Sequence, residues 1–362
     1  MPQVCNYYVT LRCNQRCTFC NIPHTNNGSP QREPTMDQVR ANFRDMKRLG
    51  VRIVDITGGE PLLYRNLIEM LTLAKKMRFM TTVTTNGMLY PNFAEELVGK
   101  VDALLFSVDS HEADTHDRIR AMKSFHLVLE ALAVARELKQ ALYISHVVTN
   151  ESFDKVDEMI RFAKEQSAIL YLNPCFSFFG NEGLDPKKAK ELRKYFGKPG
   201  VIIDGAQLDL IASGGNKTKD PVCRAVSSTI VISPEDKLLL PCYHFKEDSI
   251  PIENNLYNLY KYSSVVNAAK EGEGRHSFCE GCTVYCYMRS SLLWKYPVES
   301  VLMAGHYVRE RVRQRIKTLV AAPVPSTAAR RRLAAQAAAS PPPVAAAVAA
   351  AAASDRRRLP LL

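Results

Sequence analysis

"CNYYVTLRCNQRCTFCN", residues 5 to 21, runs from an apolar, aromatic stretch straight into three cysteines spaced C-x3-C-x2-C. The first half reads as a buried strand, and the second as a loop at its end that gathers Cys13, Cys17 and Cys20. Three thiolates this close need a soft cation to offset their charge, which points to zinc or to iron-sulfur chemistry. A structural zinc site closes with four protein ligands, and the candidate fourth is His24, at C-x3-H after Cys20. A four-iron, four-sulfur cluster on three cysteines instead leaves one iron without a protein ligand, open to a small molecule.

Outward from this stretch, strand-like runs alternate with helical ones. The runs "CNYYVTL", "VRIVDIT", "MTTVTTN", "ALLFSVD", "LYISHVVT" and "AILYLNP" read as six strands. Between them, Val39, Phe43, Met46 and Leu49 make a helical stripe opened by a Thr35–Gln38 capping box and stopped at Gly50. Phe125, Val128, Leu129, Leu132 and Ala135 make a second stripe, and Val156, Met159, Ile160 and Ala163 a third. All three are read as core packing. Six βα units predict an α/β fold, a partial (β/α)6 TIM-like barrel, with its site at the C-terminal ends of the strands. The expected division is a barrel over 1–200, a small cysteine-rich domain over 201–297, a basic amphipathic helix over 298–320 and an Ala, Pro and Arg-rich tail over 321–362 that cannot build a core. In the helix, Val301, Tyr307, Val308, Val312, Ile316 and Leu319 fall towards one side, which predicts packing on the body, with membrane-surface binding as the alternative.

The chain has 362 residues and is 46% hydrophobic, enough for a sizeable core. No apolar run approaches the roughly 20 residues of a membrane span and no signal pattern opens the chain, so a cytoplasmic protein is expected. In that compartment ten cysteines are reduced ligands rather than disulfides. The net charge of +11 sits mostly beyond residue 300, where eleven Lys and Arg face Glu310 and Asp355; residues 1–300 carry only +2, and no nucleic-acid partner is predicted.

With the motifs that follow, "CNQRCTFC" resembles the signature of the radical S-adenosylmethionine (radical SAM) enzymes. The resemblance implies that Cys13, Cys17 and Cys20 hold a 4Fe-4S cluster whose open iron is chelated by SAM. It implies reductive cleavage of SAM to a 5'-deoxyadenosyl radical that takes hydrogen from an unactivated C-H bond, with the electron supplied by a donor such as flavodoxin or ferredoxin. Phe19 would pack near the adenine. "TGGEPLL", after the second strand, is similar to the family's SAM-amino-binding motif, so Gly58, Gly59, Glu60 and Pro61 would lie against SAM, the carboxylate taking charge-assisted bonds from the ammonium. Thr85 and Asn86 of "TTNG", and Ser107 and Asp109 of "FSVDS", would hydrogen-bond ribose or carboxylate; turn chemistry is the plainer alternative. "HDRIRAMKSF" resembles a stretch whose basic residue approaches SAM, here Arg120, although the family often has Gly where this chain has Ala121.

A second cysteine group comprises Cys223, Cys242, Cys279, Cys282 and Cys286, with a hairpin turning at Pro234 to Lys237. Zinc is the alternative for such pairs. The group resembles the SPASM and Twitch extensions of radical SAM enzymes, which house auxiliary iron-sulfur clusters. Five cysteines rather than seven imply the single-cluster, Twitch-like form, with Cys223, Cys242, Cys279 and Cys282 as ligands and Cys286 as a substitute. Cys5 and Cys175 have no spacing partners and are read as packing. The resemblance implies an enzyme, of oxidoreductase or transferase type, acting on a small metabolite by dehydrogenation or rearrangement. A maturase of a ribosomal peptide and a non-catalytic iron-sulfur or zinc scaffold are the alternatives. Against the maturase, the chain starts almost at its first strand, without a separate peptide-recognition domain.

Overall fold

The computed structural model describes residues 1–22, 32–177, 182–246 and 248–320. The six expected strands are all present: β1 (Val4–Thr10), β2 (Ile53–Gly58), β3 (Met80–Thr85), β4 (Ala103–Ser107), β5 (Tyr143–Val148) and β6 (Ile169–Pro174). Four more continue the same sheet: β7 (Val201–Ile202), β8 (Thr229–Ile232), β9 (Lys237–Leu240) and β10 (Asp248–Pro251). The order is β10-β9-β8-β1-β2-β3-β4-β5-β6-β7, parallel from β8 to β7. The hairpin expected around Pro234 is β8–β9. The boundary expected at residue 200 thus falls inside one continuous sheet.

Strand alternation explains the layers. In β1, Cys5, Tyr7 and Val9 are fully buried under the helices in the main core, so Asn6 and Tyr8 point to the other face, the inside of the curved sheet. Helices α1 (Met36–Leu49), α2 (Leu67–Lys76), α3 (Tyr90–Leu97), α4 (Ala113–Arg120), α5 (Phe125–Glu137) and α6 (Val156–Glu165) follow the strands in turn. The capping box at Thr35 forms in both directions, Gly50 ends α1 in the left-handed conformation, and Val39, Phe43, Met46 and Leu49 are fully buried. Each such side chain contributes roughly 1.5–3 kcal/mol. The stripes of α5 and α6 likewise pack inward, with Leu129 and Ile160 half-buried at the edge of the core.

Beyond the sheet's open edge come α7 (Pro186–Leu192), α8 (Gly205–Ala212), α9 (Ala225–Ser228), α10 (Leu256–Tyr262), α11 (Ser264–Glu271), α12 (Tyr285–Lys295) and α13 (Pro297–Val320). Helix α13 packs on the body, as expected, but by the opposite face. Val301 (64% exposed), Val308, Val312 and Ile316 (55%) point to solvent, whereas Met303, His306, Glu310 and Gln314 are buried. The cause is the surface it covers, which presents backbone polar groups at the strand starts. His306 Nε2 meets the Val201 carbonyl at 2.7 Å, Glu310 accepts from the Gly200 N–H at 2.9 Å, and Gln314 donates to the Ser167 carbonyl at 2.7 Å. Buried backbone groups require such partners, which an apolar stripe cannot supply. The side chain of Leu319 and the 321–362 tail lie outside the described residues. Among the described residues no helix is long and apolar enough to cross a membrane.

Candidate functional site

At the top of β1, the chain turns at Leu11 and carries Cys13, Cys17 and Cys20 across the rim of the sheet. Two contacts fix this loop. The Thr18 N–H donates to the Ile119 carbonyl of α4 at 2.9 Å, and Cys20 N–H closes a turn on the Cys17 carbonyl at 3.1 Å. The adjacent β2 end lies directly against it: Gly59 N–H donates to Thr10 O and Glu60 N–H to Arg12 O, both at 2.8 Å. A Cβ at Gly58 would stand 2.0 Å from Thr10 O, and one at Gly59 would stand 2.1 Å from Arg12 O. The two glycines therefore serve the approach of the protein's own backbone, where the sequence suggested approach to a ligand.

Glu60 is buried and holds the β2 and β3 ends together. Its Oε1 accepts from Leu62 N–H (3.1 Å) and Thr85 Oγ1 (2.8 Å), and its Oε2 from Asn86 N–H (2.8 Å). Pro61 starts the single helical turn Pro61–Leu63 that brings Leu62 N–H into place. Burial raises the Glu60 carboxyl above its usual range, opposed by these bonds. Asn86 in turn donates to Asn14 Oδ1 at 2.6 Å, tying the β3 end to the cysteine loop. Thr85 and Asn86 thus have structural partners already.

From the β4 side, Asp109 and Arg120 form an ion pair at 2.6 Å, and Arg120 Nη1 lies 3.6 Å from Cys17 Sγ. The guanidinium is 5.8 Å from the centre of the half-buried Phe19 ring. Burial opposes the charge on Arg120, but Asp109 and Cys17 outweigh it and hold its pKa above normal. Although the pair is close, Asp109 Oδ2 and Arg120 Nε make no aligned hydrogen bond among the described residues. Ala121, at the end of α4, sits at φ +51°, the left-handed region that favours glycine. Ser107 is buried at the top of β4, with Ser145 of β5 opposite it. Burial pushes the Cys13 thiol up to about 12 and raises Cys17 and Cys20, with Arg120 opposing at the latter two. His24 lies outside the described residues.

The second cysteine group surrounds a cavity lined by Cys223, Cys242, Cys279 and Cys282 together with apolar side chains such as Phe245 and Phe278. Cys286 is not among its lining residues. Burial raises Cys223 and Cys282 and pushes Cys242 up to about 11. Asn216 organises the cavity wall, a role with no motif to announce it. Its Nδ2 donates to the carbonyls of Gly274 (2.8 Å) and Cys279 (3.1 Å), while its Oδ1 accepts from Val222 N–H (2.9 Å) and Cys223 N–H (3.1 Å). One fully buried amide therefore joins the segments of Cys223 and Cys279, and the Asn216 backbone N–H donates to the Cys282 carbonyl at 2.9 Å. Cys5 is fully buried in β1, and Cys175 is buried beside its own chain, with its thiol 3.7 Å from the Phe176 carbonyl.

Among the described residues no three His, Cys, Asp or Glu side chains converge on the single point that one metal ion requires. The second thiol group instead lines a cavity, and at the rim the Asp109–Arg120 pair stands against Cys17, with Arg120 Nη1 3.6 Å from its Sγ. Residues 7–163 match the model of the Radical SAM superfamily, which marks this part of the chain as a radical SAM domain. The cofactors of such a domain are a 4Fe-4S cluster and SAM, and the donor set at the rim fits them.

The chain is 27% identical over 173 residues to the AdoMet-dependent heme synthase of Methanosarcina barkeri, covering 47% of this chain and 49% of that one. It is 32% identical over 181 residues to a probable GTP 3',8-cyclase of Methanocella arvoryzae, covering 48% and 56%. It spans about half the length of these curated relatives. In fold it is similar to Streptococcus suis SuiB bound to S-adenosylmethionine (TM-score 0.63, 17% identity, 83% of this chain and 76% of that one). It also resembles anSMEcpe with bound AdoMet (TM-score 0.58, 16% identity, 88% and 95%).

Two outcomes follow from this geometry. Replacing Asn216 by Leu strands two buried N–H groups and two carbonyls, and should lower unfolding free energy by at least about 2 kcal/mol; an unchanged urea midpoint would contradict the role given to it. His116, whose Nδ1 accepts from Asp109 N–H at 3.3 Å, is pushed by burial and then by Arg120 from 6.5 down to about 4. Between those values the unfolded chain binds a proton that the folded chain does not, so this stability is present above about pH 6.5 and lost as pH falls through about 4. His244 shifts in the same window, so the check is a difference: His116→Gln should lose less stability than the parent between pH 6.5 and 4. Equal losses would mean that His116 is not held neutral.

Proposed function

We propose that the protein is a radical SAM enzyme that activates a C-H bond of a small polar metabolite, with an auxiliary iron-sulfur cluster in its second cysteine group. The observation that carries this reading is the meeting at one rim of the Cys13, Cys17 and Cys20 loop, the Gly-Gly-Glu turn and the Asp109–Arg120 pair. When bound, the cluster and SAM supply one-electron cleavage of the sulfonium carbon-sulfur bond and hydrogen abstraction from substrate. The protein's part is positional and electrostatic. Cys13, Cys17 and Cys20 would hold the cluster, and the Arg120 guanidinium 3.6 Å from Cys17 Sγ favours the thiolate there. Three donors occupy three of the roughly four acceptor directions of the Glu60 carboxylate, leaving one for the ammonium of SAM. Gly58 and Gly59 keep that carboxylate within the reach of the cysteine loop. Ser107, Asp109 and Asn86 line the same rim, and Phe19 offers an apolar face for adenine.

Cys223, Cys242, Cys279 and Cys282 would hold the second cluster inside its apolar cavity, and Cys286 is released from that duty because its side chain is not part of the lining. The electron for SAM cleavage would come from a flavodoxin or ferredoxin. A small polar substrate is favoured over a peptide by the polar interior of the curved sheet, developed below. The solved SuiB bound to precursor peptide SuiA shares the fold at 17% identity, a likeness of architecture.

Anaerobic reconstitution with SAM and a strong reductant tests this. About eight irons per chain and release of 5'-deoxyadenosine are expected. Replacing Cys17 by Ala should abolish the release, while Cys279→Ala should lose about half of the iron and keep the first cluster. Bound zinc, or no cleavage under strongly reducing conditions, would overturn the reading.

A further inference from the structure

The interior of a closed (β/α)8 barrel is filled by branched apolar side chains. This sheet departs from that. By alternation, Asn6 of β1, Asp55 of β2, Thr82 of β3, Ser145 of β5 and Asn173 of β6 face inward, and Thr82 Oγ1 donates to Asp55. The floor is apolar, where Ala103, Tyr143, Ile169, Ile202 and Met303 cluster, and above it Leu105, Tyr171 and Val231 stand among the polar positions. A mixed polar and apolar wall of this kind suits a binding chamber better than a packed core.

Helix α12 supplies what the sheet lacks. Asn6 Nδ2 donates to the Cys286 carbonyl at 3.4 Å, Tyr8 and Tyr287 hydroxyls meet at 2.8 Å, and the Tyr285 hydroxyl contacts Asp204 just after β7. The helix therefore spans from β1 to β7, across the seam of the open barrel. Its Met288, Ser291 and Leu292 are buried, but Cys286 and Arg289, three residues apart on one side, retain open surface. That surface faces the chamber. Both residues lie in the electrostatic reach of Asp55, and Arg289 in that of Tyr171, Tyr285, Asp204 and Tyr307 as well. Burial pushes the Cys286 thiol up to about 11 although its surface is accessible, as expected of a side chain in a narrow, wet enclosure.

Arg120 at the rim is paired with Asp109 at 2.6 Å. Arg289 differs: among the described residues no hydrogen bond or ion pair engages its guanidinium, and the carboxylates of Asp204 and Asp55 act on it only from a distance. A guanidinium that keeps open surface and has no contact partner is available to a ligand, and its fork matches a carboxylate or phosphate in two bonds. Tyr171 and Tyr285 are held protonated by burial, so the neighbourhood presents hydroxyl dipoles and no competing phenolate.

We propose that Arg289 anchors a carboxylate or phosphate group of the substrate inside the barrel, beneath the cysteine rim, with Asp55 facing the substrate's hydrogen-bond-donor end. This deepens the radical SAM reading, since it takes the chamber below the rim to be the substrate site. Inorganic phosphate and acetate serve as probes, titrated calorimetrically into the full chain, anaerobically reconstituted and saturated with SAM. The parent protein and Arg161→Gln, a change on exposed α6, should bind one or both anions saturably; Arg289→Gln should weaken that binding at least about tenfold, and Arg289→Lys should fall between. Circular dichroism checks that each variant is folded. Equal anion binding by the parent and a folded Arg289→Gln, or no saturable binding by the parent, would overturn the proposal. Release of 5'-deoxyadenosine by the parent separates the two readings: cleavage without anion binding overturns the Arg289 assignment alone, and Arg289-dependent binding without cleavage overturns the radical SAM reading alone.

Discussion

The structure depends on one close approach, that of the Gly58–Gly59 backbone to the carbonyls of Thr10 and Arg12. Any side chain there would collide with main-chain oxygen near 2 Å. Because nothing intervenes, the β1 and β2 ends run together past the last ladder pair, and two backbone hydrogen bonds of 2.8 Å carry the pairing into the loops. The cysteine loop is thereby fixed to Glu60, Glu60 to the β3 end through Thr85 and Asn86, and Asn86 back to the loop through Asn14. A closed circuit of hydrogen bonds makes the rim rigid before any cofactor binds, which is the preorganisation that a site handling a reactive intermediate needs.

The second organising feature is an inversion of polarity. A curved sheet ordinarily hides apolar side chains inside, yet this one turns Asn6, Asp55 and Thr82 inward and closes its seam with the helix that carries Arg289. Helix α13 shows the same inversion, burying His306, Glu310 and Gln314 and exposing its valines. In each case the polar groups answer a local demand: unpaired backbone at the strand starts in one, a chamber for a polar molecule in the other. Such departures from the usual pattern collect where function or backbone pairing overrides core formation.

Much of this was legible in the sequence where the signal is local. The six long strands, the Thr35 capping box and the β8–β9 hairpin each occupy a short run whose periodicity or turn chemistry survives without tertiary context. Strand β7 is two residues long and β10 four, too short to show a period, and β8 pairs with β1 more than 200 positions away, so the continuation of the sheet past residue 200 was hidden. Asn216 acts on residues up to 63 positions away, which no spacing rule captures. Helix α13 packs on the body as expected, but largely by a polar face, because the body offers backbone groups there as well as the apolar patch met by Met303 and Tyr307. Gly58 and Gly59 were recognised, but the backbone neighbour that each admits was not. Cys286 reads as a substitute or spare for the other four, and it lies outside the cavity that they line.

The central claim is that three cysteines leave an iron for SAM to occupy. Electron paramagnetic resonance of the reduced, reconstituted Cys279→Ala variant tests it most directly, because the first cluster then dominates the spectrum. The account predicts that adding SAM shifts the signal, and that further replacement of Cys17 by Ala removes the SAM-responsive species. A cluster signal that SAM leaves unchanged would contradict it.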